Sequence, residues 1–181
     1  LTYGETWIPC AVGGHDYTVV DRMEKAKKVI VHGDGESLWT VTHNSDFAKG
    51  LVGLLGNASA IGESYHITSD EILTWNRIYA AIGDAAGIRP DLVHIPSEFI
   101  AAFDARAGAS LLGDKAYSTG FDNSKIKHAV PDFRATVSFS EGIRRSVAWF
   151  RADERRKGVN AGADRLMDTI IQTYLSAWPA R

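Results

Sequence analysis

The sequence predicts an α/β fold. Three observations carry that expectation: short β-branched runs alternate with helical stripes, a Gly-Asp-Gly turn joins two extended segments, and the chain closes on an amphipathic helix with no strand after it. With 181 residues and 45% hydrophobic content, one core needs no disulfide or metal to hold it.

The elements follow in order. Val19, Val20, Met23 and Ala26 share one side of a helical pattern that begins near His15-Asp16 and ends in Lys27 and Lys28. Val29-Ile30-Val31 reads as a strand, Gly33-Asp34-Gly35 as a turn, and Leu38 to Thr42 as the returning strand of a β-hairpin. Asn44 or Ser45 caps a helix carrying Phe47, Leu51, Leu54 and Leu55, which Asn57 ends. Tyr65 to Thr68 reads as a buried strand running into a Thr68/Glu71 capping box. The helix after it places Ile72, Trp75, Ile78, Tyr79 and Ile82 on one stripe and closes at Gly87. Leu92 to Ile95 is a strand, and Ser97 caps a helix with Phe99, Ile100 and Phe103. Asp122 opens a short helix that Pro131 stops, and Ala135 to Phe139 is extended. Ser140 then caps a helix with Ile143, Val147 and Phe150 inward and Arg144, Arg145 and Arg151 outward. A tail helix runs from about Gly162 to Ala177.

Charge and composition exclude several classes. Lys and Arg number 20 against 22 Asp and Glu, a net charge of −2, so no basic field favours nucleic acid or an anionic membrane. The lone Cys10 rules out an internal disulfide framework and a cysteine-cluster zinc site, and no metal ligand set is expected. The longest uncharged run, Gly50 to Gly62, has 13 residues and four glycines, too short and broken to span a bilayer. A cytoplasmic protein is the expectation. The chain opens Leu1-Thr2-Tyr3-Gly4 without a methionine or a signal-peptide pattern, and it reads as a piece of something longer.

Catalytic motifs are incomplete. Gly50-x-x-Gly53-x-x-Gly56 matches a dinucleotide fingerprint in letters only. Its glycines fall inside a helix opened near Ser45, whereas pyrophosphate binding needs them between a strand and a helix's first turn. Close helix packing explains them better. No tyrosine is followed by a lysine four residues later, and Gly-x-Ser-x-Gly, P-loop and His-Glu-x-x-His patterns are absent. His43-x-x-Asp46 reads as a strand-end histidine beside a helix cap rather than as a catalytic pair. No catalytic and no cofactor-binding residue is assigned to this chain.

Several phrases, in order, carry a resemblance. Leu1-Thr2-Tyr3-Gly4 stands where an Asn-Val-Tyr-Gly-like turn would be, followed by His32-Gly33-Asp34-Gly35 and His43-Asn44-Ser45-Asp46-Phe47-Ala48. Asp122-Asn123-Ser124-Lys125 matches Asp-x-Ser-Lys, and Glu141-Gly142-Ile143 with Trp149 matches a closing Glu-Gly-Ile/Leu helix. From Thr2 to about Trp149 the chain resembles the second half of an extended short-chain dehydrogenase/reductase of the NAD-dependent epimerase/dehydratase group. The resemblance implies a Rossmann-type fold with residues 1–157 as its C-terminal, substrate-side half and 158–181 as an added amphipathic helix. It implies that NAD or NADP, the Gly-rich loop and the Tyr-x-x-x-Lys belong to a missing N-terminal half. That half and a small-molecule substrate are then the partners, with self-association open.

By the same resemblance, Tyr3, Trp39 and His43 are substrate-binding candidates. Two arginines that grip a nucleotide diphosphate in such enzymes are replaced, one by Trp39 and one in the stretch of Leu111 and Leu112, with Lys115 the nearby cation. A sugar-like substrate of lower charge, or a small hydroxy or keto compound stacked on Trp39, fits those departures. Trp39 reads equally as a strand core residue. Two non-catalytic readings stand beside the enzyme: an RNA-binding module of chloroplast type, suggested by Leu38-Trp39-Thr40-Val41-Thr42-His43 after the Gly-Asp-Gly turn, and an inert folded remnant.

Overall fold

The computed structural model describes residues 1–179. The order is β1 (Thr2–Tyr3), α1 (Thr18–Glu24), β2 (Val29–His32), β3 (Leu38–Trp39), β4 (Thr42–His43), α2 (Asn44–Leu54), β5 (Leu73–Thr74), α3 (Trp75–Ala86) and β6 (Leu92–Ile95). Then come α4 (Ser97–Phe103), α5 (Ala105–Ser110), α6 (Ser124–Ala129), α7 (Phe139–Arg151) and α8 (Ala161–Ser176). The alternating α/β character is as expected, but the strands pair differently.

The hairpin does not form. β2 pairs in parallel with β6, Val29 opposite Leu92 and His32 opposite Ile95, and β3 pairs antiparallel with β5. All four residues of β2 are buried, so both its faces are covered, the pattern of a parallel interior strand rather than a half-exposed hairpin arm. β1 and β4 form a further parallel pair, Thr2 opposite Thr42 and Tyr3 opposite His43. Gly33 and Gly35 do turn the chain at positive φ, 59° and 75°. The turn is held from α3: the Asn76 amide donates to Gly35 O at 2.9 Å, and Asn76 Nδ2 donates to Asp34 O at 2.9 Å.

Residues 65–68 form no strand, and the Thr68/Glu71 capping box is absent. Asn123 takes Thr68 instead, accepting from its hydroxyl at 2.6 Å and donating to its carbonyl at 2.7 Å. Glu71 Oε2 accepts the Phe139 amide at 2.7 Å. Because Leu73–Thr74 is drawn into β5, α3 begins only at Trp75, with the Thr74 hydroxyl accepting the Arg77 amide at 3.2 Å. Ile72 therefore lies before the helix and is exposed, while Trp75, Ile78, Tyr79 and Ile82 form the buried stripe. Gly87 ends α3 in the left-handed conformation, as its sequence position predicts.

Other boundaries move by a few residues. His43 rather than Asn44 or Ser45 caps α2, which ends at Leu54; Asn57 caps the short 3-10 turn that follows. Ser138 rather than Ser140 caps α7, and Pro96 precedes Ser97 at the start of α4. Arg151 does not simply face out, since it donates to Glu24 at 2.8 Å and to Ala86 O at 2.9 Å.

The main core gathers α1, α3 and α7 around Tyr17, Trp75, Ile78, Ile82, Ile143 and Phe150. A second cluster joins Ile30 and Ile95 of the β2–β6 pair to Ile100 of α4 and Met167, Ile170 and Ile171 of α8. The tail helix thus belongs to a core. Its expected span, 158–181, ends in two residues outside the described ones. Arg22 fixes it: this guanidinium, 1% exposed, bonds Asp164, reaches Asp168 Oδ1 at 2.8 Å, and donates twice to Lys28 O at 2.9 and 2.7 Å. Lys27 reaches the same two carboxylates at 2.8 and 2.9 Å. Among the described residues no helix is long and apolar enough to cross a membrane.

Candidate functional site

The parallel β1–β4 pair sets Tyr3 against His43. Their rings meet edge-to-face with centroids 5.4 Å apart, and both side chains are buried. The start of α7 closes over them, and Gly142 is what lets it come so near. A Cβ there would overlap Tyr3 Oη and crowd His43 Cδ2. Burial first, and then the Glu71 charge, push the Tyr3 phenol well above its ordinary pKa, so it stays protonated and donates to Phe139 O at 3.4 Å.

His43 and Asp46 do not touch as a pair. His43 Nδ1 accepts the Ser45 amide at 3.3 Å and the Ser45 hydroxyl lies 2.8 Å away, which places the proton on Nε2, 3.6 Å from Glu5 Oε1. Asp46 is buried and accepts from Lys49 at 2.6 Å and from the Val137 amide at 2.8 Å. Although burial opposes its charge, these donors hold the carboxyl below the ordinary range. The motif is a helix cap next to a loop clasp, the plainer of its two sequence readings.

Trp39 stands apart from that pair. It is buried, its ring tilted on Trp75 at 5.9 Å, and Lys115 Nζ lies 5.7 Å from its centroid. The backbone delivers Lys115 there: its carbonyl accepts from His32 Nε2 at 2.9 Å and from Ser37 Oγ at 2.8 Å, while the Thr119 amide donates to Leu38 O at 2.9 Å. Burial pulls the His32 pKa down, which keeps the ring neutral in this role. The structure therefore brings together Tyr3 with His43, and Trp39 with Lys115, within one core. Trp39 Nε1 and His43 Nε2 are buried and have no hydrogen-bond partner among the described residues. The sequence reading gave His32 no role of its own, although it stands directly before the Gly-Asp-Gly turn.

The glycines at 50, 53 and 56 do not fit a dinucleotide. A Cβ at Gly50 would meet Ile67, one at Gly53 would meet Val130, and Gly56 lies beyond the helix at φ 77°. Two of the three are thus packing contacts inside α2, not a phosphate loop. Among the described residues no group of three or more metal-ligating side chains could hold a metal ion.

Two parallel strand pairs, β1–β4 and β2–β6, with helices packed between and around them define an α/β protein. No family model matches the chain. It is similar to the dTDP-glucose 4,6-dehydratase of Actinoplanes sp., 33% identical over 134 residues, which cover 74% of this chain and 37% of that protein. Its fold is similar to that of a GDP-L-fucose synthetase from Naegleria fowleri bound to NADP, with a TM-score of 0.63, 19% identity, and coverage of 87% of this chain and 45% of that one. It is also similar to UDP-glucose 4-epimerase from Thermotoga maritima with UDP-glucose, with a TM-score of 0.57, 20% identity, and coverage of 83% and 43%. The chain thus resembles, over most of its length, part of the NAD-dependent epimerase/dehydratase enzymes of the extended short-chain dehydrogenase/reductase type, and shares their fold. It spans less than half the length of these relatives.

Proposed function

We propose that the chain is the substrate-side part of an NAD(P)-dependent epimerase, dehydratase or reductase acting on a sugar-like or small hydroxy or keto substrate. The 33% identity to a sugar-nucleotide dehydratase over 134 residues carries this reading. In it, residues 1–157 supply the family's substrate-side half and 158–181 an added helix. NAD or NADP is held by the rest of the enzyme, together with the Gly-rich loop and the Tyr-x-x-x-Lys, in the cytoplasm. Tyr3, Trp39 and His43 contact substrate. The unpartnered Trp39 Nε1 supports that role, because a buried polar group without a partner costs free energy that a ligand hydroxyl recovers, and His43 Nε2 has only the Glu5 carboxylate at 3.6 Å. Lys115, itself paired with Asp114 at 3.2 Å, is the cation beside Trp39, and one partly neutralised cation suits a substrate of lower charge than a nucleotide diphosphate.

The test is a longer gene product that contains these residues, incubated with NAD or NADP and followed by chromatography of the products, because epimerase and dehydratase cycles return the hydride and leave no net change in nicotinamide absorbance. Turnover is expected, with Trp39→Ala raising KM roughly tenfold, the loss of about 1.4 kcal/mol of stacking, and Trp39→Phe restoring most of it. A folded longer product without nicotinamide-dependent turnover of any sugar, hydroxy or keto compound overturns the reading.

A further inference from the structure

A cavity of about 420 Å³ lies between the Ala11–His15 loop, the α4–α5 pair and α8. That volume is in the range of small-molecule sites, roughly 300–1,000 Å³. Its floor is apolar and fully covered: Val12, Ile100, Met167 and Ile170 are all buried. Its rim is polar and includes the exposed Arg106. We propose that this cavity binds a small organic acid with an apolar body, its carboxylate held by Arg106. The inference does not use Tyr3, Trp39 or His43, none of which lines this cavity, so it can fail or stand apart from the proposed enzymatic role.

Three features support it. The walls are set before any ligand arrives. The Tyr79 hydroxyl accepts the amides of Ala11 and Val12 at 3.1 and 3.4 Å, fixing the loop from α3. Gly13, at φ 98°, lets the loop lie on Met167, where a Cβ would stand 3.0 Å from Met167 Cε. Arg22 and Lys27 clamp α8 through Asp164 and Asp168.

Charge selects the ligand. Among the described residues the Arg106 guanidinium has no carboxylate partner; its backbone amide donates to Asp104 Oδ1 at 2.9 Å. Asp104 also lines the cavity, but that oxygen accepts the Ala107 amide too, at 3.0 Å, as the cap of α5. Lys115 reaches the rim only through its bond to the Ser110 hydroxyl and is paired with Asp114 at 3.2 Å. His15 is stacked on Trp7 at 4.1 Å, and burial favours its neutral form. Arg106 and the capped Asp104 leave the rim neutral, so a monocarboxylate adds one negative charge beside the guanidinium and a dianion adds two. A dianionic phosphate would meet Asp104 with charge left over, and a planar carboxylate matches the guanidinium fork.

The experiment uses the 181-residue protein with methyl-labelled Ile and Met, titrated with octanoate, with octanamide as a neutral control of the same shape. Octanoate is expected to shift the methyls of Ile100, Met167 and Ile170 saturably at millimolar concentration, and octanamide to bind more weakly. Arg106→Gln is expected to weaken octanoate about tenfold and leave octanamide unchanged. Ala163→Trp, which fills the cavity from α8, is expected to abolish both titrations while Arg106→Gln keeps the wild-type melting temperature. Unmoved methyls, equal binding of octanoate and octanamide, or tighter binding of octyl phosphate each overturn the proposal.

Discussion

Gly142 has a role that its sequence phrase could not reveal. The Glu141-Gly142-Ile143 order was legible, yet the need for glycine comes from Tyr3, which arrives from the other end of the chain. Gly142→Ala is expected to lower stability by about 1–3 kcal/mol in urea unfolding, because the new methyl must displace a packed ring. An unchanged midpoint would show that α7 tolerates a larger spacing. Arg22 makes the opposite point, since a basic residue mid-helix reads as solvated and is instead 1% exposed. Arg22→Met is expected to cost on the order of 3 kcal/mol in the same measurement, through Lys28 O left without its donor and Asp164 and Asp168 left with Lys27 alone. Trp39 shows the limit of local reading from another side: its letter is compatible with a substrate platform or with core. Its buried place on Trp75 with Lys115 nearby follows from a backbone zipper, 115–119 along β3, that no short pattern encodes.

At the scale of elements, the buried stripes of α3 and α7 were legible because each buries one face and exposes the other, but their starts were not: α3 begins at Trp75 with Thr74 as its cap, and Ser138 caps α7. Strand partners were not. The run Val29-Ile30-Val31 gave its own hint, being apolar on both faces, but pairing depends on what Leu92–Ile95 brings from across the chain. Two-residue strands such as β3 and β5 carry too few residues for any period to register. The attachment of α8 follows from charge. Lys27 and then Arg22 hold the Asp164 carboxyl below its ordinary range against the cost of burial. Asp168, despite the burial that opposes its charge, is held down by the same two cations. A depressed folded pKa contributes stability that is present above the unfolded value, about 3.9, and is lost as pH falls through the folded one. Acidification below about pH 4 is therefore expected to raise amide exchange in α8 before α3 or α7. Asp164→Asn with Asp168→Asn should remove that acid dependence and leave α8 labile at neutral pH; uniform exchange across the three helices would contradict the clamp.

For the whole molecule, the family resemblance in the sequence came from ordered phrases, and the parallel β1–β4 pair, the Gly-Asp-Gly turn and the buried Asp46 clasp give those phrases their physical reasons. The arrangement leaves the described residues without a strand–glycine–helix unit for a dinucleotide. On the proposed function, NAD or NADP is held outside these 181 residues. Calorimetric titration of NADH and NADPH into the 181-residue protein is then expected to give no binding heat, and micromolar binding of either nucleotide would contradict that division of roles.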